Sequence, residues 1–203
     1  DIMKKLLILP AILFLFIAAS PSETGFKVGD KAADFNLKNV DGKMVSLAGL
    51  KNNKGAIVIF TCNHCPFSVA YEDRIIALHN KYAAQGYPVV AINPNDPVKS
   101  PDDSFEAMVV RANEKKFPFP YIYDVDQKVA SVYGAVRTPH VFVLTREENA
   151  YNVAYIGAID DNTYEPENVQ TRYVEQALDE ILAGKKVTTN FTKAIGCTIK
   201  WKS

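Results

Sequence analysis

Two cysteines separated by two residues form the most reactive pattern in this sequence, Cys62-Asn63-His64-Cys65. They follow the apolar run 56–60, which is typical of a strand buried on both faces. After Pro66 the apolar residues recur with helical period, so the pair is expected at the first turn of a helix, where free N–H groups and the helix dipole favour a thiolate. Cys62 is then the attacking sulfur on the solvent side, and Cys65 closes a disulfide back onto it. The spacing predicts thiol–disulfide exchange.

Two other uses of a C-x-x-C pair find less support in the sequence. A structural zinc site needs a second pair of ligands at similar spacing, and Cys197, His79 and His140 are too scattered to supply one. Haem attachment needs a histidine directly after the second cysteine, and Pro66 stands there instead. The position at a strand-to-helix junction therefore favours redox chemistry.

His64, between the two cysteines, is a candidate for tuning them. A protonated imidazole at this position would favour the Cys62 thiolate and would make the disulfide more oxidising. The alternative is that His64 is a solvent-exposed spacer, as Asn63 is expected to be.

The sequence Arg137-Thr138-Pro139 precedes an apolar run with strand character. A cis bond before Pro139 would turn the backbone toward the cysteine pair and leave the peptide of Thr138 free to bind an incoming extended chain. Arg137 is either a surface residue or a group that attracts an anion or the Cys62 thiolate.

Two further residues have open roles. The strand under the cysteines contains no acidic residue, so a proton acceptor for Cys65 must come from elsewhere, and Glu106 is a candidate whose alternative is a solvated helix face. Cys197 is expected to be a buried structural thiol; a reserve resolving thiol and a redox-exposed thiol are the alternatives.

The remaining elements are predicted from hydrophobic periodicity and turn residues. They form an α/β domain with a central mixed β-sheet flanked by helices, an N-terminal β-hairpin and a helix–strand insertion. Ser100 is expected to be the N-cap of the inserted helix, with Asp103 completing a capping box. The other predicted strands lie at 34–37, 43–45, 87–92, 121–123, 141–144 and 151–156, and the other helices at 67–84, 127–133 and 174–182, before a less regular tail at 185–203.

Charge and composition narrow the class of protein. The chain has 203 residues, equal numbers of acidic and basic residues and no basic stripe, so a nucleic-acid partner is not expected. Lys4, Lys5 and the apolar run that follows them predict a signal peptide over 1–22 and a mature domain over 23–203. The expected location is the periplasm or the exterior, without stable membrane association after cleavage; an uncleaved anchor is the alternative.

With these motifs in place, the chain resembles the thioredoxin-like superfamily, and within it the AhpC/TSA redoxin branch whose members include peroxiredoxin-like proteins with a C-N-H-C-P motif. The resemblance rests on the following segments: 33–37, 60–66, 117–121, 137–139, 159–162 and 196–202. It implies a thioredoxin-like fold, with Cys62 as nucleophile, Cys65 as resolving thiol and Pro139 as the cis-proline.

The chain departs from the peroxiredoxin pattern P-x-x-x-[ST]-x-x-C. Counting back from Cys65 gives Cys62 and Val58 at the hydroxyl and proline positions, and counting back from Cys62 gives Ile59 and Gly55. The hydroxyl that would position a peroxide is therefore absent from the expected place.

Three functions remain open at this point. The first is an exported thiol–disulfide oxidoreductase acting on protein thiols or disulfides, with an external electron donor or acceptor and no cofactor. The second is a thiol peroxidase acting on small peroxides. The third is a copper-binding protein that uses Cys62, Cys65 and either His64 or His140.

Overall fold

The computed structural model describes residues 25–203. The predicted signal peptide at 1–22 lies outside the described residues. Within 25–203, no helix combines the length and the apolar character that crossing a membrane requires.

The centre of the fold is a seven-stranded mixed sheet with the order β2-β1-β5-β4-β3-β7-β8. Strands β3, β4 and β5 are parallel, and every other pairing in this sheet is antiparallel. A separate two-stranded sheet joins β6 and β9. The strands are β1 Asn36–Asn39, β2 Met44–Ser46, β3 Gly55–Phe60, β4 Val89–Asn93, β5 Tyr121–Tyr123, β6 Arg137–Thr138, β7 His140–Glu147, β8 Ala150–Gly157 and β9 Cys197–Thr198.

Helices cover both faces of the large sheet. They are α1 Pro66–Tyr82, α2 Phe105–Lys115, α3 Lys128–Tyr133 and α4 Tyr173–Leu182. The predicted fold class is confirmed: a central mixed sheet is flanked by helices, the hairpin β1–β2 opens the domain, and α2 with β5 forms the insertion.

Strand β3 is buried along its whole length, as its apolar run predicts. Ile57 and Ile59 pack into a core formed with α1, α2 and α4, whereas Val58 and Phe60 pack into a second core on the other face with α3. Each such side chain contributes about 1.5–3 kcal/mol when fully buried. The strand that leads to Cys62 is therefore held from both sides.

Helix α1 begins at Pro66, with Cys65 in extended conformation as its N-cap. Proline fits here because its missing N–H would have had no intrahelical partner. The helix runs into a 3₁₀ turn and stops at Gly86, whose φ of +96° is left-handed. The predicted helix at 67–84 is confirmed.

The predicted start of α2 at Ser100 is wrong. Pro101–Asp103 forms a separate 3₁₀ turn, and Ser104 caps α2 by accepting a hydrogen bond from the N–H of Ala107 at 3.3 Å. The physical reason is that the Asp103 carboxylate does not bond back to the N–H of Ser100. It points toward the C-x-x-C loop instead.

Candidate active site

The two cysteines of the motif lie in different surroundings. Cys65 is the N-cap of α1, whereas Cys62 sits in the loop between β3 and α1, three residues before that N-cap. The Cys62 residue is only 3% exposed. The expectation that Cys62 lies on the solvent side of the first helical turn is therefore wrong. Cys62 is buried, and the first helical turn begins four residues after it, at Pro66.

The disulfide of this structure joins Cys65 to Cys197, and Cys62 is the free thiol. The Cα atoms of the bonded pair are 6.1 Å apart, within the usual range for a disulfide. The expected Cys62–Cys65 disulfide is not in this structure. The favoured role of Cys197 as a buried structural thiol is also wrong, since Cys197 is bonded and only partly buried. The reason is the pairing of β9 with β6, which carries Cys197 to the start of α1.

The peptide bond between Thr138 and Pro139 is cis, as predicted. Thr138 is fully buried and contacts both sulfurs: its hydroxyl Oγ1 is 3.3 Å from Cys62 Sγ, and its carbonyl oxygen is 3.3 Å from Cys65 Sγ. The structure thus brings Cys62, Cys65, Thr138 and Pro139 together.

The backbone edge expected to receive an incoming chain is occupied by the protein's own tail. Thr138 pairs with Cys197 and Arg137 pairs with Thr198, in antiparallel register. The guanidinium of Arg137 donates to the carbonyl oxygen of Gly196 at 3.1 Å. Arg137 therefore holds the tail beside the sulfurs.

A buried carboxylate that the sequence interpretation missed organises the C-x-x-C loop. Asp103 is fully buried, and its Oδ1 accepts the backbone N–H of Asn63 at 2.7 Å and that of His64 at 3.3 Å. Its Oδ2 accepts from the side chains of Asn95 and Ser100, each at 2.7 Å. Several donors on one carboxylate offset the cost of burying it.

His64 is more than a spacer. Its ring Nδ1 is 2.6 Å from Asp103 Oδ2 and 3.0 Å from the hydroxyl of Ser100. The imidazole is partly exposed, with 35% of its side-chain surface accessible, while Asp103 is buried. The ring therefore closes the solvent side of the Asp103 cluster.

The pKa of the Cys62 thiol is raised above its ordinary value, first by burial and then by the negative charge of Asp103. Hydrogen bonds between Cys62 and Thr138, the backbone of Cys65 and Ser68 lower the pKa of the thiol and so act in the opposite direction. The prediction of a thiolate favoured by the first helical turn is wrong for Cys62. The free N–H groups of that turn lie beyond it along the chain, and the nearest strong charge is a carboxylate.

Glu106, the predicted proton acceptor, is exposed in the first turn of α2. A different glutamate is buried near the site: Glu72 on α1 lines a small cavity together with Cys62 and Tyr121. Both Glu72 carboxylate oxygens accept from Arg111, at 2.7 Å and 2.8 Å. The solvated-face alternative for Glu106 is the one observed.

The set of ligands predicted for copper is not assembled. Cys65 is consumed in its disulfide, and among the described residues the compact ligand group is Cys62, His64 and Asp103, with ligand atoms within 4.8 Å of one another. In that group the His64 nitrogen and an Asp103 oxygen already bond each other. His140 lies outside it, buried on β7, where burial lowers its pKa to about 4.

Comparisons with known proteins identify the family and relatives with a similar fold. The model of the AhpC/TSA family matches residues 28–156. A solved structure of an uncharacterised conserved protein from Geobacillus kaustophilus is 38% identical with a TM-score of 0.79, and the match covers 87% of this chain and 93% of that one. A hypothetical protein from Sinorhizobium meliloti 1021 is 35% identical with a TM-score of 0.81, covering 88% of this chain and 97% of that one.

One curated relative carries an activity in its name. Thiol-disulfide oxidoreductase ResA of Bacillus thuringiensis (strain Al Hakam) is 25% identical over 124 residues, which are 60% of this chain and 65% of that protein. The chain therefore spans just under two thirds of the length of the curated relatives that it matches.

Proposed function

The chain belongs to the AhpC/TSA family, and on that premise we propose that it is an exported thiol–disulfide oxidoreductase in which Cys62 and Cys65 carry the exchange. The observation that carries the proposal is the contact of Thr138 with both sulfurs, through its hydroxyl to Cys62 and its carbonyl to Cys65. The name of the ResA relative supports the same activity. Export rests on the signal-peptide pattern at 1–22.

The reaction begins with the pair reduced, after the external donor has reduced the Cys65–Cys197 disulfide of this structure. The Cys62 thiol gives up its proton, its sulfur attacks a disulfide of the substrate protein, and one substrate sulfur leaves as a thiolate that takes up a proton. The Cys65 thiol then gives up its proton and attacks Cys62 in the mixed disulfide, and the second substrate sulfur leaves as a thiolate that takes up that proton. Two electrons pass to the substrate and the pair ends as a Cys62–Cys65 disulfide, which an external donor reduces.

The surroundings of Cys62 favour the reducing direction. A dithiol becomes a strong oxidant when its reduced form is stabilised as a thiolate. Burial and Asp103 raise the pKa of the Cys62 thiol, so the reduced form gains no such stabilisation. We therefore infer a reductant, in contrast to the oxidising tendency expected from His64.

Trapping of mixed disulfides tests the proposal. In a Cys65→Ser/Cys197→Ser double variant neither cysteine can resolve the mixed disulfide, so adducts between Cys62 and substrate proteins accumulate and disappear on treatment with a reductant. A Cys62→Ser variant is the matched control and forms no Cys62 adduct. Absence of adducts from the double variant in extracts of exported proteins would contradict an exchange function.

A peroxidase is the second candidate, because the free thiol of Cys62 has two hydroxyls nearby. Thr138 Oγ1 is 3.3 Å from Cys62 Sγ, and Ser68 Oγ is 3.8 Å from it. These hydroxyls come from other parts of the chain than the peroxiredoxin pattern requires. Rapid sulfenic acid formation at Cys62 on addition of hydrogen peroxide, with consumption of peroxide and a thiol reductant at turnover, would favour this function over the first.

A further inference from the structure

The tail contributes the third cysteine of the site and also the strand that lies against it. Cys197 is bonded to Cys65, 132 residues earlier, and Thr138 is its partner in the β6–β9 pairing. An extended segment that pairs with the backbone beside a redox-active cysteine, and shares a disulfide with it, resembles a bound substrate in a mixed disulfide, here with the resolving Cys65 and not with the attacking Cys62. Here that segment belongs to the same chain.

The fit between the tail and β6 depends on a residue without a side chain. A Cβ on Gly196 would overlap the carbonyl oxygen of Thr138, which is backbone and has little freedom to move. Arg137 holds the same glycine through its carbonyl oxygen. The edge of β6 therefore accepts an extended chain in which glycine precedes the exchanging cysteine.

The tail is also tied to the carboxylate that orders the C-x-x-C loop. The backbone N–H of Lys200 donates to Asn95 Oδ1 at 2.9 Å, and the side-chain Nδ2 of Asn95 donates to Asp103 Oδ2 at 2.7 Å. Ile199, between these bonds and Cys197, is only 4% exposed. Release of Cys197 thus leaves the tail with an anchor beyond the cysteine, so it stays within reach of the site.

From this geometry we propose that the tail is an internal substrate and that Cys197 is a third redox-active cysteine, which exchanges with the Cys62–Cys65 pair. The inference deepens the proposed function and rests on it. It also names the class of external substrate: a protein that presents an extended Gly-Cys segment to the edge of β6 once the tail has been displaced.

The exchange needs no added oxidant. The sulfur of Cys62 loses its proton and attacks Sγ of Cys65; the Cys62–Cys65 bond forms, the Cys65–Cys197 bond breaks, and Cys197 leaves as a thiolate that takes up the proton. The oxidation state of the Cys62 sulfur rises by one and that of the Cys197 sulfur falls by one, so the chain keeps one disulfide throughout and needs no outside oxidant or reductant. Thr138 contacts the attacking sulfur and the sulfur under attack, through Oγ1 and O respectively.

Disulfide mapping on the full chain tests the inference. The wild type is equilibrated in a glutathione buffer, its thiols are blocked in acid, and peptides carrying Cys65–Cys197 and Cys62–Cys65 are quantified. We expect both bonds. A Gly196→Ala variant shifts the ratio toward Cys62–Cys65 by at least about tenfold, because overpacking against backbone weakens the docked tail. The matched control is Gly49→Ala, whose new Cβ meets only the flexible Ser46 hydroxyl.

A second measurement keeps the test independent of the folding of that variant. A synthetic peptide with the sequence of residues 194–201, activated as a mixed disulfide, is offered to a Cys197→Ser variant, and a peptide with valine in place of the glycine is the control. Capture on the Cys62–Cys65 pair that favours the glycine peptide by at least about tenfold supports the inference.

The two proposals fail in different ways. Equal capture of both peptides refutes the inference that the tail is an internal substrate. The inference is also refuted if only the Cys65–Cys197 disulfide, and no Cys62–Cys65 disulfide, is found in both the wild type and Gly196→Ala. The proposed function still stands if the Cys197→Ser variant reduces an unrelated protein disulfide. If the Cys197→Ser variant is folded but does not reduce an unrelated protein disulfide, the proposed function itself is refuted.

Discussion

The imidazole of His64 and the carboxylate of Asp103 meet at 2.6 Å, with the ring partly exposed and the carboxylate fully buried. The contact links the inserted segment between β4 and β5 to the loop that carries Cys62. The negative charge of Asp103 lies close enough to the free thiol to raise the pKa of Cys62.

Replacement of Asp103 by asparagine is expected to lower the pKa of the Cys62 thiol. The variant keeps the shape of the side chain and removes its charge, which is the second cause of the raised pKa after burial. In the oxidised protein Cys62 is the free thiol, so the ultraviolet absorbance of its thiolate, followed against pH, gives the pKa directly.

The control for this change is Asp102→Asn, the exposed neighbour, whose contact with Asn63 uses its backbone carbonyl and not its side chain. It should leave the Cys62 titration unchanged. A titration curve for Asp103→Asn that lies on or above that of the wild type would show that Asp103 does not act on Cys62 by its charge.

A Thr138→Val substitution should move the same pKa upward. It removes the hydroxyl 3.3 Å from Cys62 Sγ, and this hydrogen bond is the contact that most lowers the thiol pKa against burial and Asp103. Stability should fall by about 0.5–1.5 kcal/mol, the usual net contribution of one hydrogen bond. The thiolate titration and urea unfolding measure the two effects, and Thr198→Val, an exposed position in β9, is the control.

Stability should fall in acid because of His140. Burial lowers the pKa of this histidine from 6.5 to about 4, so the folded protein keeps the ring neutral where the unfolded chain takes up a proton. The stabilisation is present above pH 6.5 and is lost as the pH falls from there toward 4, to a total of about 3 kcal/mol.

Urea unfolding across this pH range measures the slope. A His140→Gln variant should show a flatter pH dependence than the wild type, while His79→Gln should keep most of it, since His79 is less buried. Equal slopes for wild type and His140→Gln would refute the assignment.

Replacement of Arg111 by methionine should destabilise the fold by about 2–4 kcal/mol, because it leaves the buried charge of Glu72 without its main partner. Lys115, at 3.3 Å from Glu72, limits the loss. A Glu72→Leu/Arg111→Met double variant should recover most of the stability in urea unfolding. If the double variant is as unstable as the single one, the loss comes from packing and not from the unpaired charge.

Local signals in the sequence predict much of this fold. The apolar run of β3 and the spacing of Tyr71, Ile75, Leu78 and Tyr82 on α1 depend on burial and helical period alone, and both elements form where expected. The cis bond at Thr138-Pro139 agrees with its prediction too. Cysteines and proline therefore meet as the motifs suggest.

Two features of the site could not be predicted from local sequence patterns. Asp103 looks like a helix cap in the sequence, and only the folded sheet brings it to a loop 39 residues away, at His64. Cys197 is paired across 132 residues. The neighbouring Gly196 could have indicated that the backbone at Cys197 packs closely against another strand, since glycine permits such an approach. The sequence does not show that the disulfide partner of Cys197 is Cys65.

The distance along the chain between Cys65 and Cys197 also determines the order in which disulfides can form during synthesis. During synthesis Cys62 and Cys65 emerge together, whereas Cys197 follows 132 residues after Cys65. An oxidant that meets the growing polypeptide finds the two early cysteines first. The bond between Cys65 and Cys197 can form only once Cys197 has been made, later than a Cys62–Cys65 bond could form.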